Sequence, residues 1–236
     1  ALVSARYYIE NTLVKPRETI EEKGGLYGYE QVDENNGYRI FESRNYIPMG
    51  FTFESYMTQE NYDAIGSRET SDRLLVKNLI LTKEQKERYG HMMEEDTETL
   101  KKPMSDDQFD LACRERAASA CRSFQFTNRG FEAQADLPAD NLVFFSVPYD
   151  EGFTAYVDGR ETVTERVDGG LMAVPVPAGE HRIEVVYRQV GLRAAVFVSL
   201  ITAFLLIIYV FGKRFVRRNT KVRGTSTNVL AIENDP

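Results

Sequence analysis

An apolar segment at residues 194–212 is the strongest constraint on what this chain can fold into, because it contains no charged residue. A helix of that length is about 28 Å long, close to the thickness of the hydrocarbon core of a bilayer. The segment therefore predicts a transmembrane helix. This excludes a simple soluble enzyme and leaves a membrane-tethered domain.

Charge divides the chain at the same place. Residues 1–193 carry 23 Lys and Arg against 34 Asp and Glu, a net charge of −11, whereas residues 194–236 carry 6 against 2, a net charge of +4. Because the large part is acidic and the basic part is a short tail, we exclude a nucleic-acid binder and expect no nucleic-acid partner.

Six basic residues directly follow the apolar segment: Lys213, Arg214, Arg217, Arg218, Lys221 and Arg223. Cytoplasmic flanks of membrane helices are enriched in Lys and Arg, so the C-terminus is expected in the cytoplasm and residues 1–193 outside. A basic patch that binds anionic lipid is the alternative interpretation, and it gives the same placement.

An external domain of this size must be exported across the membrane. The first six residues, ALVSAR, contain neither an initiator Met nor a signal peptide. We therefore expect the chain to be the C-terminal piece of a longer membrane protein, whose earlier spans export the domain.

Short β-rich runs separated by turn residues dominate the acidic part. Asn36-Gly37 and Asp158-Gly159 suit two-residue hairpin turns, because these residue types tolerate a positive φ. Residues 141–147 are almost continuously apolar, as in a strand buried on both faces, and residues 47–53 predict an edge strand opened by Pro48. The pattern predicts a mainly β fold, an extracytoplasmic β-sandwich or jelly roll.

The middle of the chain, residues 59–121, is more highly charged and predicts a mostly helical insertion. Thr82 and Gln85 fit a helix start, and residues 73–81 suit either a helix or a strand. The predicted parts are a first β part (1–58), the helical insertion (59–121), a second β part (122–193), the transmembrane helix (194–212) and a cytoplasmic basic tail (213–236).

Cys113 and Cys121 are the only cysteines. On one continuous helix they would lie about 12 Å apart, beyond disulfide reach, whereas a bend between them would permit a bridge. No four-ligand set surrounds them, and the chain has no glycine-rich phosphate loop or nucleophile elbow. We therefore expect neither a metal nor a cofactor.

Several motifs recur in a fixed order along the chain. They are ARYY at 5–8, YGY at 27–29, YRIFE at 38–42, IPMGF at 47–51, SFQF at 123–126, LVFFSVPYDEGFTAYVDG at 142–159 and PAGEH at 177–181. This ordered combination resembles the C-terminal region of the bacterial YfhO membrane protein family. Phe153 and Asp158 depart from the family pattern, which often has Trp and Asn at these positions.

The resemblance implies a polytopic glycosyltransferase of the GT-C type. Such enzymes transfer a sugar from a polyprenyl-phosphate donor to an acceptor on the outer face of the membrane, here a cell-surface polymer such as lipoteichoic acid or a glycolipid. Their catalytic acid or base is typically an acidic residue in an early external loop. This chain does not contain that loop, so the resemblance assigns it no catalytic residue.

Few residues in the chain are candidates for chemistry of their own. Asp150, Glu151 and Asp158 are possible acids or bases, but their neighbouring glycines favour a role in turns. His91 and Glu94 have a spacing that could ligate a metal on a helix, although a charged helix face is the better interpretation.

Aromatic side chains are the best binding candidates, because sugars stack on aromatic rings and binding residues concentrate near turns. The glycan-binding candidates are Tyr46, Tyr56, Tyr62, Tyr149 and Phe153. Tyr156 also lies near a turn, but its strand position favours a role in the core.

Two hypotheses follow. In the first, the domain binds or positions the acceptor of a YfhO-like glycosyltransferase, with the bilayer, the upstream membrane part, the polyprenyl-phosphate sugar and the glycopolymer as partners. Since a net charge of −11 repels a polyanion, a neutral or lipid-linked acceptor is at least as plausible as an anionic one. In the second, the domain is a non-catalytic adhesion or assembly module anchored in the membrane.

Overall fold

The computed structural model describes residues 2–13, 25–65, 68–99 and 104–229. The chain forms two units, Ala1–Arg188, which is compact and mostly β, and Gln189–Pro236, which holds one long helix. A mainly β fold followed by an apolar C-terminal helix is thereby confirmed.

The described residues form fourteen strands and five α-helices, joined by turns and loops. The strands are β1 (Tyr7–Asn11), β2 (Tyr29–Asn35), β3 (Tyr38–Ser43), β4 (Ser55–Thr58), β5 (Asn78–Leu81), β6 (Glu94–Glu95), β7 (Ser123–Thr127), β8 (Gly130–Leu137), β9 (Asn141–Pro148), β10 (Phe153–Val157), β11 (Arg160–Thr162), β12 (Glu165–Val167), β13 (Leu171–Val176) and β14 (Gly179–Tyr187). The helices are α1 (Gln59–Asp63), α2 (Arg68–Lys77), α3 (Lys83–Tyr89), α4 (Asp106–Ala118) and α5 (Leu192–Val229).

Two antiparallel sheets pack face to face as a sandwich. One has the strand order β11-β10-β14-β8-β7 and the other has the order β12-β13-β9. Their facing side chains form a core that includes Phe131, Phe145, Met172, Ile183 and Val185. This core lies between the two sheets because the strands alternate buried and exposed residues, as β8 does along Gly130–Leu137.

Strand β9 contributes to two cores at once. Val143 and Phe145 belong to the core between the two sheets, while Leu142 and Phe144 belong to a second core on the other face. The continuous apolar run therefore reflects burial on both faces, as predicted from the sequence.

Residues 47–53 do not form the predicted edge strand. Phe51 makes a single antiparallel bridge to Phe144, with N···O distances of 3.1 and 2.7 Å, and both rings are fully buried. Pro48 lacks an amide hydrogen and Gly50 has a φ of +78°, so the backbone does not continue as a strand. The segment instead covers the outer edge of β9.

The second core is closed by a small parallel sheet with the order β5-β4-β6. The middle of the chain therefore contributes strands as well as helices. The ambiguous run at 73–81 contains both, because α2 leads directly into β5. The predicted helix start is confirmed, since Thr82 and Gln85 form a complete capping box at α3.

A third antiparallel sheet, with the order β1-β3-β2, completes the β part. Its β2–β3 hairpin turns at Asn36 and Gly37, whose φ angles are +50° and +78°. Asp158 and Gly159 have φ angles of +50° and +78° in the β10–β11 hairpin. Both predicted hairpins are confirmed, and in each the backbone needs residues that tolerate a left-handed conformation.

In α5, residues Leu192–Lys213 form a 22-residue stretch that is long enough to cross a membrane, and its most apolar 18-residue window has a mean hydropathy of 2.7. Its apolar side chains are exposed in the structure, as expected of a helix whose natural surroundings are lipid. The helix begins two residues before the predicted segment and continues through the basic flank to Val229.

Both cysteines are free thiols. Cys113 lies in α4, whereas Cys121 follows the end of that helix and packs beside the sandwich core. Burial raises the pKa of the Cys113 thiol to about 11 and that of Cys121 to about 12. Neither thiol is a ready nucleophile, because the reactive thiolate is disfavoured at neutral pH.

Candidate functional site

A cleft of about 260 Å³ combines aromatic and polar side chains from the β1-β3-β2 sheet and from helices α2 and α4. Its lining residues are Tyr27, Tyr29, Ser43, Asn45, Asp72, Arg73 and Phe109. Ligand sites are commonly concave, largely apolar surfaces with a few convergent polar groups, and this cleft has that composition.

Tyr27, Phe109 and Arg73 form the aromatic side of the cleft. The Tyr27 and Phe109 rings lie edge to face with centroids 6.0 Å apart, and the Arg73 guanidinium lies 5.3 Å from the first centroid and 5.6 Å from the second. Arg73 also pairs with Asp106 at 2.6 Å. Tyr27 remains 45% exposed, so part of its ring is open to a ligand.

Asp110 joins the aromatic side to the polar side. Its Oδ1 accepts a hydrogen bond from the Tyr27 hydroxyl at 3.1 Å and another from Asn45 Nδ2 at 2.8 Å. Partial burial and the Asp110 hydrogen bond raise the pKa of Tyr27, so its hydroxyl stays protonated at neutral pH. Two donors from the turns beside β2 and β3 are therefore fixed by one carboxylate from α4.

Local sequence explains how both walls are built. Gly28 has a φ of +75°, and a Cβ at this position would lie 2.7 Å from Asn45 Nδ2, so the left-handed backbone and the close approach of Asn45 both favour glycine. On the helical wall, Ser105 and Gln108 form a capping box that starts α4. The helix then projects residues 106, 109 and 110 from one face, because positions three and four apart are neighbours.

The chemistry of this cleft suits recognition of a sugar ring. An aromatic face can cover the C–H groups of a sugar, while amide, hydroxyl and carboxylate groups bind its hydroxyls. The Asp110 oxygen already accepts two hydrogen bonds, which favours a positioning role over proton transfer. No group of three metal-ligating side chains occurs among the described residues.

The five aromatic residues selected from the sequence are dispersed, and none lines this cleft. Tyr46 is half-buried with the Arg6 guanidinium 5.9 Å from its ring centroid, and Tyr62 is half-buried against the cluster that contains Met57. Tyr149 is half-buried and is fixed by its backbone amide, which donates to the Gly170 carbonyl at 2.8 Å.

The other two selected residues belong to packed regions. Tyr56 exposes only 4% of its surface, and its hydroxyl donates to Glu95 at 3.2 Å, so its ring has little area left for a ligand. Phe153 stacks against Tyr187 with centroids 4.9 Å apart. Tyr156 is half-buried on β10.

Sequence reasoning missed the cleft residues as binding candidates. The YGY motif at 27–29 was informative only as part of the family resemblance, although a Gly between two Tyr residues is a signal of close backbone approach. Arg73, Phe109 and Asp110 gave no signal, because they reach Tyr27 only through tertiary packing of α2 and α4.

Asp150 and Asp158, two of the possible acids or bases, stabilise turns through hydrogen bonds to backbone amides. This agrees with the interpretation favoured by the sequence. Asp150 Oδ1 accepts from the Gly152 amide at 2.7 Å. Asp158 accepts from the Arg182 amide at 2.9 Å and contacts His181 Nδ1 at 2.6 Å. His91 lies exposed in a single 3₁₀ turn, Gly90–Met92.

A second cleft, of about 370 Å³, is the weaker candidate. It is lined by Thr52, Glu54, Glu115, Ala118, Ser119, Asp136, Leu137, Pro138, Ala139 and Asn141. The described residues of this lining include no aromatic ring and no basic group, so they offer neither a stacking surface nor a positive charge to an anion.

Comparison with known proteins finds a family match in the middle and later part of the chain. Residues 91–199 match the family model described as bacterial membrane protein YfhO. The chain carries a YfhO-family region. No curated protein and no solved structure matches it.

The YfhO region runs from the 3₁₀ turn through the sandwich into α5. It therefore includes Phe109 of the cleft and Asp110, which holds Tyr27 and Asn45, whereas Tyr27 and Asn45 themselves lie upstream of the match. The family match and the apolar helix together support a location in a membrane.

Proposed function

We propose that the chain is the C-terminal extracytoplasmic domain and last membrane span of a polytopic YfhO-like glycosyltransferase, and that the Tyr27–Phe109 cleft binds its acceptor glycan. The enzyme transfers a sugar from a polyprenyl-phosphate donor to a cell-surface polymer, such as lipoteichoic acid, or to a glycolipid. The observation that carries this proposal is the cleft itself, an aromatic and hydrogen-bonding surface next to a YfhO-family region.

The proposed topology rests on the two ends of the apolar stretch. Lys213, Arg214, Arg217 and Arg218 follow it, and this bias supports a cytoplasmic C-terminus at the bacterial plasma membrane. Residues 1–193 are then extracytoplasmic, on the face where lipid-linked sugars are transferred to surface polymers. The upstream membrane part of the protein supplies the catalytic acid or base.

The charge around the cleft supports a neutral or lipid-linked acceptor. Among the residues that the structure describes, Arg73 is the one basic side chain in its lining, and it is paired with Asp106 at 2.6 Å. Asp72 and Asp110 add negative charge at the same place. A polyanionic backbone would be repelled here unless cations intervene.

The parts defined from the sequence take different roles in this proposal. Residues 1–58 supply Tyr27 and Asn45, residues 59–121 supply Arg73 and Phe109, and residues 122–193 form the sandwich that supports both walls. The dispersed aromatics Tyr46, Tyr56, Tyr62, Tyr149 and Phe153 remain proposed glycan contacts, secondary to the cleft.

The test is sugar transfer by the complete parent protein in membranes, with a polyprenyl-phosphate sugar as donor and the acceptor polymer varied in concentration. Tyr27→Ala should raise the KM for the acceptor and leave the KM for the donor unchanged. Tyr38→Ala is a matched control, because Tyr38 on the nearby strand β3 is similarly exposed, at 42%, but does not line the cleft.

Equal kinetics for Tyr27→Ala and Tyr38→Ala would exclude the cleft as the acceptor site. If transfer persists in a parent protein that lacks residues 1–188, the domain is not needed for sugar transfer and only stabilises the protein. The alternative function, a non-catalytic assembly module, predicts no transfer with any donor. It is favoured by one observation, an unprotected strand at the edge of the sandwich.

A further inference from the structure

Strand β7 ends the five-stranded sheet without the protection that edge strands usually have. It is the last strand in the order β11-β10-β14-β8-β7, and its residues Ser123–Thr127 carry no charge. Four of its five residues are exposed. Natural sheets normally block such edges with charges, prolines or bulges, because an open edge can pair with another strand.

Two phenylalanines make this edge apolar on its inner face. Phe124 and Phe126 pair with Ala133 and Phe131 of β8, so both lie on the face that forms the sandwich core. Phe124 packs there against Phe131 and Phe145, with centroids 5.2 and 6.3 Å apart. Phe126 continues this row edge-on to Phe124 at 5.0 Å but is 72% exposed. The aromatic core therefore extends to the open edge of the sheet.

Charge distinguishes β7 from the other edges of the described sheets. The edge strands β1, β2, β6, β11 and β12 each carry at least one charged residue. β5 is fully buried, and the open side of β9 is covered by Phe51. Because the domain is acidic, most of its surface repels a second copy. Two copies therefore meet with the least electrostatic repulsion at an uncharged edge.

We propose that β7 pairs antiparallel with β7 of a second copy of this chain, joining two five-stranded sheets into one continuous sheet. With Gln125 on the two-fold axis, Phe124 of one copy lies opposite Phe126 of the other, and Ser123 lies opposite Thr127. Each exposed Phe126 ring is then covered by an aromatic cross-strand neighbour, which is a favourable pairing in sheets. The outward-facing residues Ser123, Gln125 and Thr127 are polar and uncharged, so this face adds no repulsion.

Anchoring in a membrane allows two chains to form a dimer through so small an interface. A five-residue strand buries less surface than a stable soluble dimer needs. Two copies anchored in one bilayer by α5 meet at a high effective concentration, so a weak contact becomes populated. We therefore expect dimers in membranes that dissociate when the chains are diluted in detergent. This inference does not depend on the proposed glycan site.

The experiment is cross-linking of the full chain in liposomes with a short bismaleimide. Gln125→Cys places a reactive thiol on the proposed axis, and Glu161→Cys on β11 places one at the opposite edge of the same sheet. The native Cys113 and Cys121 are poorly reactive because burial raises their pKa values. The expected result is a dimer band for Gln125→Cys that is absent for Glu161→Cys.

A second substitution distinguishes strand pairing from collision. Adding Phe126→Lys to Gln125→Cys should reduce the cross-linked dimer to the Glu161→Cys background, since the two copies then oppose like charges, whereas Phe126→Leu should keep it. Phe126 is exposed, so circular dichroism should show both variants folded. Equal cross-linking at positions 125 and 161, or full cross-linking with Phe126→Lys, would overturn the proposal.

Discussion

Asp168 has surroundings that disfavour an ionised carboxylate. It follows β12 with a φ of +45°, and its Oδ1 accepts from the Ile80 amide at 2.8 Å, which ties the sandwich to the parallel sheet. The residue as a whole is half-buried, but its Oδ2 is inaccessible to solvent and has no hydrogen-bond partner among the described residues. Burial raises its pKa to about 7.

Asp168→Asn should therefore stabilise the protein in a pH-dependent way. The folded-state pKa of about 7 lies above the usual value of 3.8, so ionisation costs stability as the pH rises from 4 to 7, and the cost is constant above that. Asn cannot ionise and tolerates the left-handed turn, so the gain at pH 8 should be at least about 1 kcal/mol. Chemical unfolding of the full chain in detergent, followed by circular dichroism, measures it.

The matched control is Asp140→Asn. Asp140 also accepts a backbone hydrogen bond, from Ala178 at 2.8 Å, but it is exposed. Its substitution should change stability little at any pH. An Asp168→Asn gain that is the same at pH 4 and pH 8 would contradict a buried, titrating carboxyl.

His181 and Asp158 form a second titrating pair at the residue scale. The hydrogen bond from His181 Nδ1 to Asp158 raises the pKa of His181 above 6.5 and lowers that of Asp158 below 3.8. The pair therefore stabilises the hairpin fully between pH 3.8 and pH 6.5, and less as the pH rises past the raised His181 pKa or falls through the lowered Asp158 pKa. Asp158→Asn keeps the turn and should lower the His181 pKa. NMR of labelled histidine measures this, with His91→Gln used to assign the two signals. An unchanged His181 pKa would contradict the pairing.

Helix α3 shows how an element is fixed to its neighbour. Glu165 on β12 accepts from the Tyr89 hydroxyl at 2.8 Å, from Arg88 at 2.5 Å and from Gln85 Nε2 at 3.0 Å. Glu165 is 7% exposed, and burial beside this carboxylate raises the pKa of Tyr89 to about 12. The network joins α3 to the sandwich through one buried carboxylate.

Glu165→Ala should destabilise the chain by about 2–4 kcal/mol, because three donors lose their buried acceptor. Glu132→Ala is the control, since its ion pair with Arg182 at 2.8 Å lies at the surface and should be worth less than about 1 kcal/mol. Urea unfolding of both variants measures the difference. Similar losses for the two would show that the α3 network is not a major source of stability.

Elements that depend on neighbouring residues were predictable from the sequence. The Asn36-Gly37 and Asp158-Gly159 turns and the Thr82–Gln85 capping box depend on residues within a few positions of one another. The parallel sheet and the Phe51–Phe144 bridge were not predictable, because they join strands far apart in the sequence. The cleft has the same origin, since Asp110 meets Tyr27 and Asn45 only when α4 packs beside the sheet.

At the scale of the whole molecule, the account depends on the side of the membrane where residues 1–188 lie. Acceptor binding requires them outside, because the donor sugar and the surface polymer meet there. Single introduced cysteines can test this placement, since Cys113 is buried, Cys121 is half-buried, and the raised pKa of both native thiols makes them poorly reactive.

The most direct measurement is labelling of single introduced cysteines with a membrane-impermeant maleimide, in intact cells that express the complete parent protein. We expect Glu161→Cys, which is exposed on β11, to be labelled in intact cells, and Ser226→Cys, beyond the basic flank, to be labelled only after the membrane is permeabilised. The opposite pattern would place the domain in the cytoplasm and contradict its role in binding an external acceptor glycan.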